Sequence, residues 1–220
     1  MLDALLLPLS GPLWPREALR PYSKTQPLLV VVVGLLVATV ASAAWLIPFM
    51  LATIQTSGVP VEEGLAWRIV VLNIGAFAPV GALASATVMA GLLWTFPVFG
   101  GFETEWRTCF LIAAVTQGVE IFRRLLVAIV LWARELTGAP GSAVEVRTGF
   151  DAVLALAGDL PDVVMLVGRH FGPFEVWSVA IATAGLMVLQ RLPLRTAAIT
   201  ASVTVVVIQG TVALFELLVR

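Results

Sequence analysis

The stretch that decides the fold runs Phe174-Glu-Val-Trp-Ser-Val-Ala-Ile-Ala-Thr-Ala-Gly-Leu-Met-Val-Leu-Gln190-Arg191-Leu192-Pro193-Leu194-Arg195 and continues as an apolar run to Leu217. It reads as a helical hairpin in lipid, two apolar spans joined by a short turn flanked by Arg191 and Arg195. Crossing about 30 Å of hydrocarbon takes roughly 17–25 residues per helix, and both runs are near that length. Arginines gathered at one turn mark the side of the membrane on which the turn lies.

Composition supports the same reading. The chain is 60 % apolar, against about 45–50 % in soluble domains. Charged residues make up 12 %, and the mean hydropathy is +1.00. Water would leave such a surface uncovered; lipid needs no cover for it. The 220 residues hold one membrane bundle and no soluble domain of useful size. A net charge of −1 excludes a nucleic-acid role, which needs clustered Lys and Arg. The single cysteine, Cys109, excludes an intramolecular disulfide and reads as a small packing residue. Met1 to Leu13 has no basic start and is broken by Pro8 and Pro12, so a cleavable leader is not expected.

The expected architecture is an all-α bundle of five membrane spans with short interfacial helices. The spans are drawn at 28–51, 75–98, 108–132, 174–189 and 194–217. Residues 1–27 form a cytoplasmic interfacial tail, and residues 28–220 form the membrane domain. Its long extracytoplasmic loop, 133–173, opens with Gly138, Pro140 and Gly141 and carries helical patterns at 146–157 and 161–170. Arg16, Arg20, Lys24, Arg107, Arg191 and Arg195 crowd the short inner segments. Arg68, Arg134, Arg147, Arg169 and Arg220 are spread over longer outer ones. That bias predicts a cytoplasmic N-terminus and an outer C-terminus.

In the tail, Trp14, Arg16, Arg20 and Lys24 suit a short interfacial helix, with Pro15 in its first turn. It serves either as a juxtamembrane anchor or as a docking surface for a partner. The second span carries small residues at helical spacing: Gly81 with Ser85, and Ala82 with Ala86 and Ala90. Small residues let helix backbones approach closely in lipid, within the bundle or in a homo-oligomer. Pro79 predicts a kink.

The third span holds the intramembrane polar cluster Gln117, Glu120, Arg123 and Arg124. Glu120 lies three and four residues from the two arginines, so one ion pair forms along one face and one arginine is left over. Such groups face a bundle interior or a water cavity, because lipid exposure costs several kcal/mol. Three readings stay open: arginines snorkelling at an interface, a structural ion pair, or a polar path for substrate or ion. In the long loop, Glu145, Asp151, Asp159, Asp162 and the single His170 lack the spacing of a metal site. Asp159 before Pro161 reads as a helix cap. There is no His-Glu-x-x-His, Gly-x-Ser-x-Gly or phosphate-binding glycine loop, and no motif sets a serine beside His170. No catalytic residue, metal or cofactor is expected.

The arrangement resembles the Yip (Ypt-interacting protein) domain family, bacterial type. Pro15-Arg16-Glu17-Ala18-Leu19-Arg20 is similar to that family's lead-in before the first span. Phe171-Gly172-Pro173-Phe174-Glu175-Val176-Trp177-Ser178 through Ala184-Gly185-Leu186 is similar to its fourth span, and Leu194-Arg195-Thr196-Ala197-Ala198 to its entry into the fifth. The charged third span departs from the family pattern. The resemblance implies a non-enzymatic membrane protein. Eukaryotic members are linked to small-GTPase recruitment, and some bacterial members accompany ABC-type exporters. An Ala-, Val-, Leu- and Arg-rich chain with one lysine suggests a GC-rich bacterium, hence the inner membrane and the second role. The expectation is an accessory or scaffold subunit bound to another membrane protein in the bilayer, such as an ABC-type exporter. The alternative is a transporter or lipid-handling protein that uses the charged span as a polar path.

Overall fold

The computed structural model describes residues 6–23, 28–56, 62–137, 146–158 and 160–219, and among these it is helical with no strand. Lys24, Gly138, Pro140, Gly141, Glu145, Asp159 and Arg220 lie outside the described residues. The chain opens with two short helices, α1 (Leu7–Ser10) and α2 (Pro15–Leu19), followed by a 3-10 turn at Arg20–Ser23. Pro8 and Pro15 sit in the first turns, where a missing N–H costs nothing.

The expected first span is a bent pair. Helix α3 (Leu28–Ala44) and helix α4 (Ile47–Thr56) meet at an angle of 52°. Pro48 explains the bend: it offers no N–H to the carbonyl of Ala44 four residues back, and its ring crowds that carbonyl.

The expected second span is longer than drawn. Helix α5 (Glu63–Leu72), a wide turn at Asn73–Phe77 and helix α6 (Ala78–Phe99) form one continuous rod, of which Gly64–Phe99 counts 36 residues. At the wide turn the Ala78 N–H reaches the Asn73 carbonyl, five residues back. Pro79 lacks the N–H that Gly75 would accept, so the helix absorbs the proline as a π-type turn.

The expected third span is not one long apolar helix. It divides at Gln117 into α7 (Trp106–Thr116) and α8 (Gly118–Leu136). Beside the division the packing is tight: a Cβ on Gly118 would lie 1.8 Å from the Pro8 carbonyl oxygen and 2.7 Å from Pro12 Cγ. The N-terminal segment crosses the chain at that point, and only glycine admits it.

The long loop contributes α9 (Asp151–Leu154), a 3-10 turn at Ala155–Ala157, and α10 (Asp162–His170). Two extended residues, Phe171 and Gly172, separate α10 from α11 (Pro173–Leu189), and α12 (Leu194–Val219) closes the chain. Three helical runs of the described residues are long and apolar enough to cross a membrane: Gly64–Phe99, Asp162–Leu189 and Leu194–Val219. The bent α3–α4 pair makes a fourth if it counts as one crossing. On α12, Phe215 is 68 % and Leu218 75 % exposed, apolar surface that lipid covers without cost.

Helix α7 lies at the centre, with Thr108, Cys109 and Leu111–Thr116 buried. It packs on α6, α11 and α3. Cys109 is fully buried, as a packing residue is expected to be. Gly185 of α11 packs directly on α7, since a Cβ would stand 2.8 Å from both Cγ atoms of Ile112. The N-terminal segment is no detached tail. Leu7 and Leu19 are at most 1 % exposed, α1 packs on α3, α7 and α8, and α2 packs on α11. Trp14, Arg16 and Arg20 keep to its outer surface. The Trp177 Nε1 group donates to the Pro12 carbonyl at 2.8 Å and ties the segment to α11.

One end of the bundle is pinned by an amide clamp. Gln190 Nε2 donates to the Glu105 carbonyl at 2.9 Å, and the Glu105 N–H donates to Gln190 Oε1 at 3.3 Å. This joins the α6–α7 loop to the α11–α12 turn.

Candidate functional site

At the other end, a cavity of about 380 Å³ opens between α6, α8, α11 and α12. Helix α6 supplies Gly81, Ala82, Ser85 and Met89. The α7–α8 junction and the start of α8 supply Gln117, Glu120, Arg123 and Arg124. From α10 and α11 come His170, Phe174, Glu175 and Ser178, and α12 adds Val205, Ile208, Gln209 and Val212. Gln209 stands ten residues before the helix end at Val219, about 15 Å along the axis. The cavity therefore reaches from the loop end to the middle of α12.

All four residues of the expected polar cluster line this cavity. The break after Thr116 lets Gln117 turn toward α6, where its Nε2 donates to Ser85 Oγ at 2.9 Å. Glu120 binds both arginines, at 3.3 Å from Arg123 and 3.7 Å from Arg124. The expectation that one arginine is left over is corrected: Arg123 also pairs with Glu175 of α11. Its guanidinium lies over the Phe174 ring, 5.1 Å from the centroid. Glu175, Arg123, Glu120 and Arg124 thus form an alternating chain of charges across two helices.

Glu175 was not among the expected site residues. The signal was present, since a carboxylate in the first turn of a span needs a cation and the third span held one to spare. Glu175 is 5 % exposed, and its Oε2 is buried without a hydrogen-bond partner, as is Arg123 Nε. Such orphaned buried atoms are uncommon and ask for an explanation.

The small-residue face divides. Ala82, Ala86 and Ala90 are buried, as a packing face requires. Gly81 is exposed, with no atom within 4 Å of where its Cβ would stand, and Ser85 belongs to the cavity. Trp14 and Arg16 line a separate shallow groove against α11.

His170 and Ser178 both line the cavity, yet no hydrogen bond joins them. His170 Nε2 instead meets Glu216 Oε2 at 2.9 Å, and Arg169 donates to the same carboxylate at 3.1 Å. These contacts strap α10 to α12. Among the described residues, no group of three His, Cys, Asp or Glu side chains could hold a metal ion. No protein-family model, curated protein or solved structure matches the chain.

Proposed function

We propose that this chain is a non-enzymatic integral membrane protein that handles a polar-headed ligand, a lipid or solute, in the cavity between α6, α8, α11 and α12. One observation carries the reading. Glu175 is buried with an unpartnered oxygen in a cavity that also holds both intramembrane arginines. A purely structural ion pair is favourable only when its remaining lone pairs and protons are satisfied, and here they are not. The volume falls within the range of about 300–1,000 Å³ typical of ligand pockets. In this reading α7 and α8 together make the third of five crossings, in a bacterial inner membrane with the N-terminus inside and the C-terminus outside. The Gln190–Glu105 clamp supports that topology, because it holds together the two loops that the basic residues assign to the cytoplasmic side.

A second reading is the accessory subunit of Yip type, bound to an ABC-type exporter. The packing of α2 (Pro15–Leu19) on α11 favours it, since this joins two of the stretches that carry the resemblance. Exposed Gly81 is then a contact for the partner or for a second copy.

Gly81→Leu separates the readings, because nothing stands where the new side chain begins. Proteoliposomes carrying a labelled phospholipid measure handling, and a mild-detergent pull-down measures assembly. Loss of lipid movement with assembly intact supports the cavity. No lipid movement by the wild type, with an ATPase–permease pair recovered in stoichiometric amount and lost in the variant, establishes the accessory subunit instead.

A further inference from the structure

The cavity's chemistry selects among ligands, on the reading that it is the working site. Its charges cancel, with Glu120 and Glu175 against Arg123 and Arg124. A net anion or cation would leave a surplus charge at membrane depth, which is costly; a zwitterion leaves none. Each end of a zwitterion also has a partner waiting. Glu175 Oε2 is a buried acceptor without a donor. Arg124 meets the protein through Nε at 3.7 Å, and its two terminal nitrogens make no hydrogen bond to the described residues.

We infer that the cavity binds a phosphate ester joined to a primary ammonium, the headgroup chemistry of phosphatidylethanolamine, taken from the bilayer. The phosphate sits on Arg124, whose planar donors suit phosphate oxygens. The ammonium donates an N–H to Glu175 Oε2. A quaternary ammonium has no N–H and leaves that oxygen orphaned, so phosphatidylcholine is rejected at this point. The membrane as source follows from the walls. Gly81 and Val212 are exposed on the two helices that border the cavity, and Gly81 has no side chain to close the gap. Acyl chains leave sideways between α6 and α12, along Ile208 and Val212.

The test is native mass spectrometry of the full chain in mild detergent. The probes are dioleoyl-phosphatidylethanolamine, dioleoyl-phosphatidylcholine, dioleoyl-phosphatidylglycerol and free O-phosphoethanolamine. Phosphatidylethanolamine is expected to bind at least tenfold more tightly than either other lipid. Glu175→Gln should bring it to the phosphatidylcholine level. Arg124→Gln, which removes only a long contact and so keeps the fold, should weaken both lipids about equally. Equal binding of phosphatidylcholine overturns the ammonium assignment. Tightest binding of phosphatidylglycerol, lost in Arg124→Gln, overturns the zwitterion and leaves the cavity as the working site. Displacement of the lipid by free O-phosphoethanolamine at equal concentration overturns the bilayer as source. Retention of no lipid, with Arg124→Gln unchanged, overturns this inference and the cavity reading together.

Discussion

Glu175→Leu tests the logic of the charged chain most directly. Glu175 is 5 % exposed, and the Arg123 side chain it neutralises is 19 % exposed. Removing one member of such a pair strands the other charge, at a cost of about 3–5 kcal/mol. Arg123 keeps Glu120 at 3.3 Å and its place over Phe174, which puts the expected loss at the lower end, about 3 kcal/mol. Arg123→Met strands Glu175 in turn, and there no second cation among the described residues compensates. Replacing both residues fills the same space with apolar atoms and costs under about 1 kcal/mol. The double variant is therefore more stable than either single one, and two losses of about 3 kcal/mol against one of about 1 kcal/mol give a coupling of about 5 kcal/mol. The assay is unfolding in mixed micelles by titration with sodium dodecyl sulfate, followed by tryptophan fluorescence. A coupling below about 0.5 kcal/mol would refute the pairing argument, because independent sites add to within that margin.

Gly118→Ala forces a Cβ into the Pro8 carbonyl and should cost about 1–3 kcal/mol; trypsin cleavage after Arg16 should accelerate, and an unchanged rate would mean the N-terminal segment is not held there. Gly185→Ala overlaps Ile112 and should destabilise by about 1–3 kcal/mol, with recovery in the Gly185→Ala, Ile112→Ala double variant measured in the same titration. Arg191 closes α11 with φ 55, so Arg191→Gly should stabilise by about 1 kcal/mol. Glu216→Gln weakens partly exposed contacts worth about 0–1 kcal/mol; its signature is faster amide exchange across residues 162–170, with the global transition unmoved.

Much of the bundle was legible because lipid writes itself into composition. The last apolar run is found as one helix at Leu194–Val219, within a few residues of where it was drawn. Pro48 and Pro79 were visible, but the sequence does not say which local geometry absorbs a proline: one produced a bend, the other a wide turn in an unbroken rod. The polar cluster was legible as a cluster, since charges at helical spacing in an apolar run have few other readings. Its partner was missed because Glu175 lies 52 residues from Arg123, and local periodicity says nothing about contacts between helices. The burial of Leu7 and Leu19 was missed for a related reason. Short proline-broken apolar runs look like surface anchors until a glycine elsewhere, here Gly118, makes room for them.

The amide clamp at Gln190 turns the two hairpins into a lever. Helix α6 has 22 residues and is about 33 Å long at 1.5 Å per residue. With its far end tied through the 102–105 loop to the α11–α12 turn, relative motion of the hairpins is smallest there and grows along their length. A tilt of about 5° over 33 Å displaces the free end by about 3 Å, comparable to the reach of one hydrogen bond. Gln190, which touches nothing in the cavity, thus sets the fulcrum for opening it.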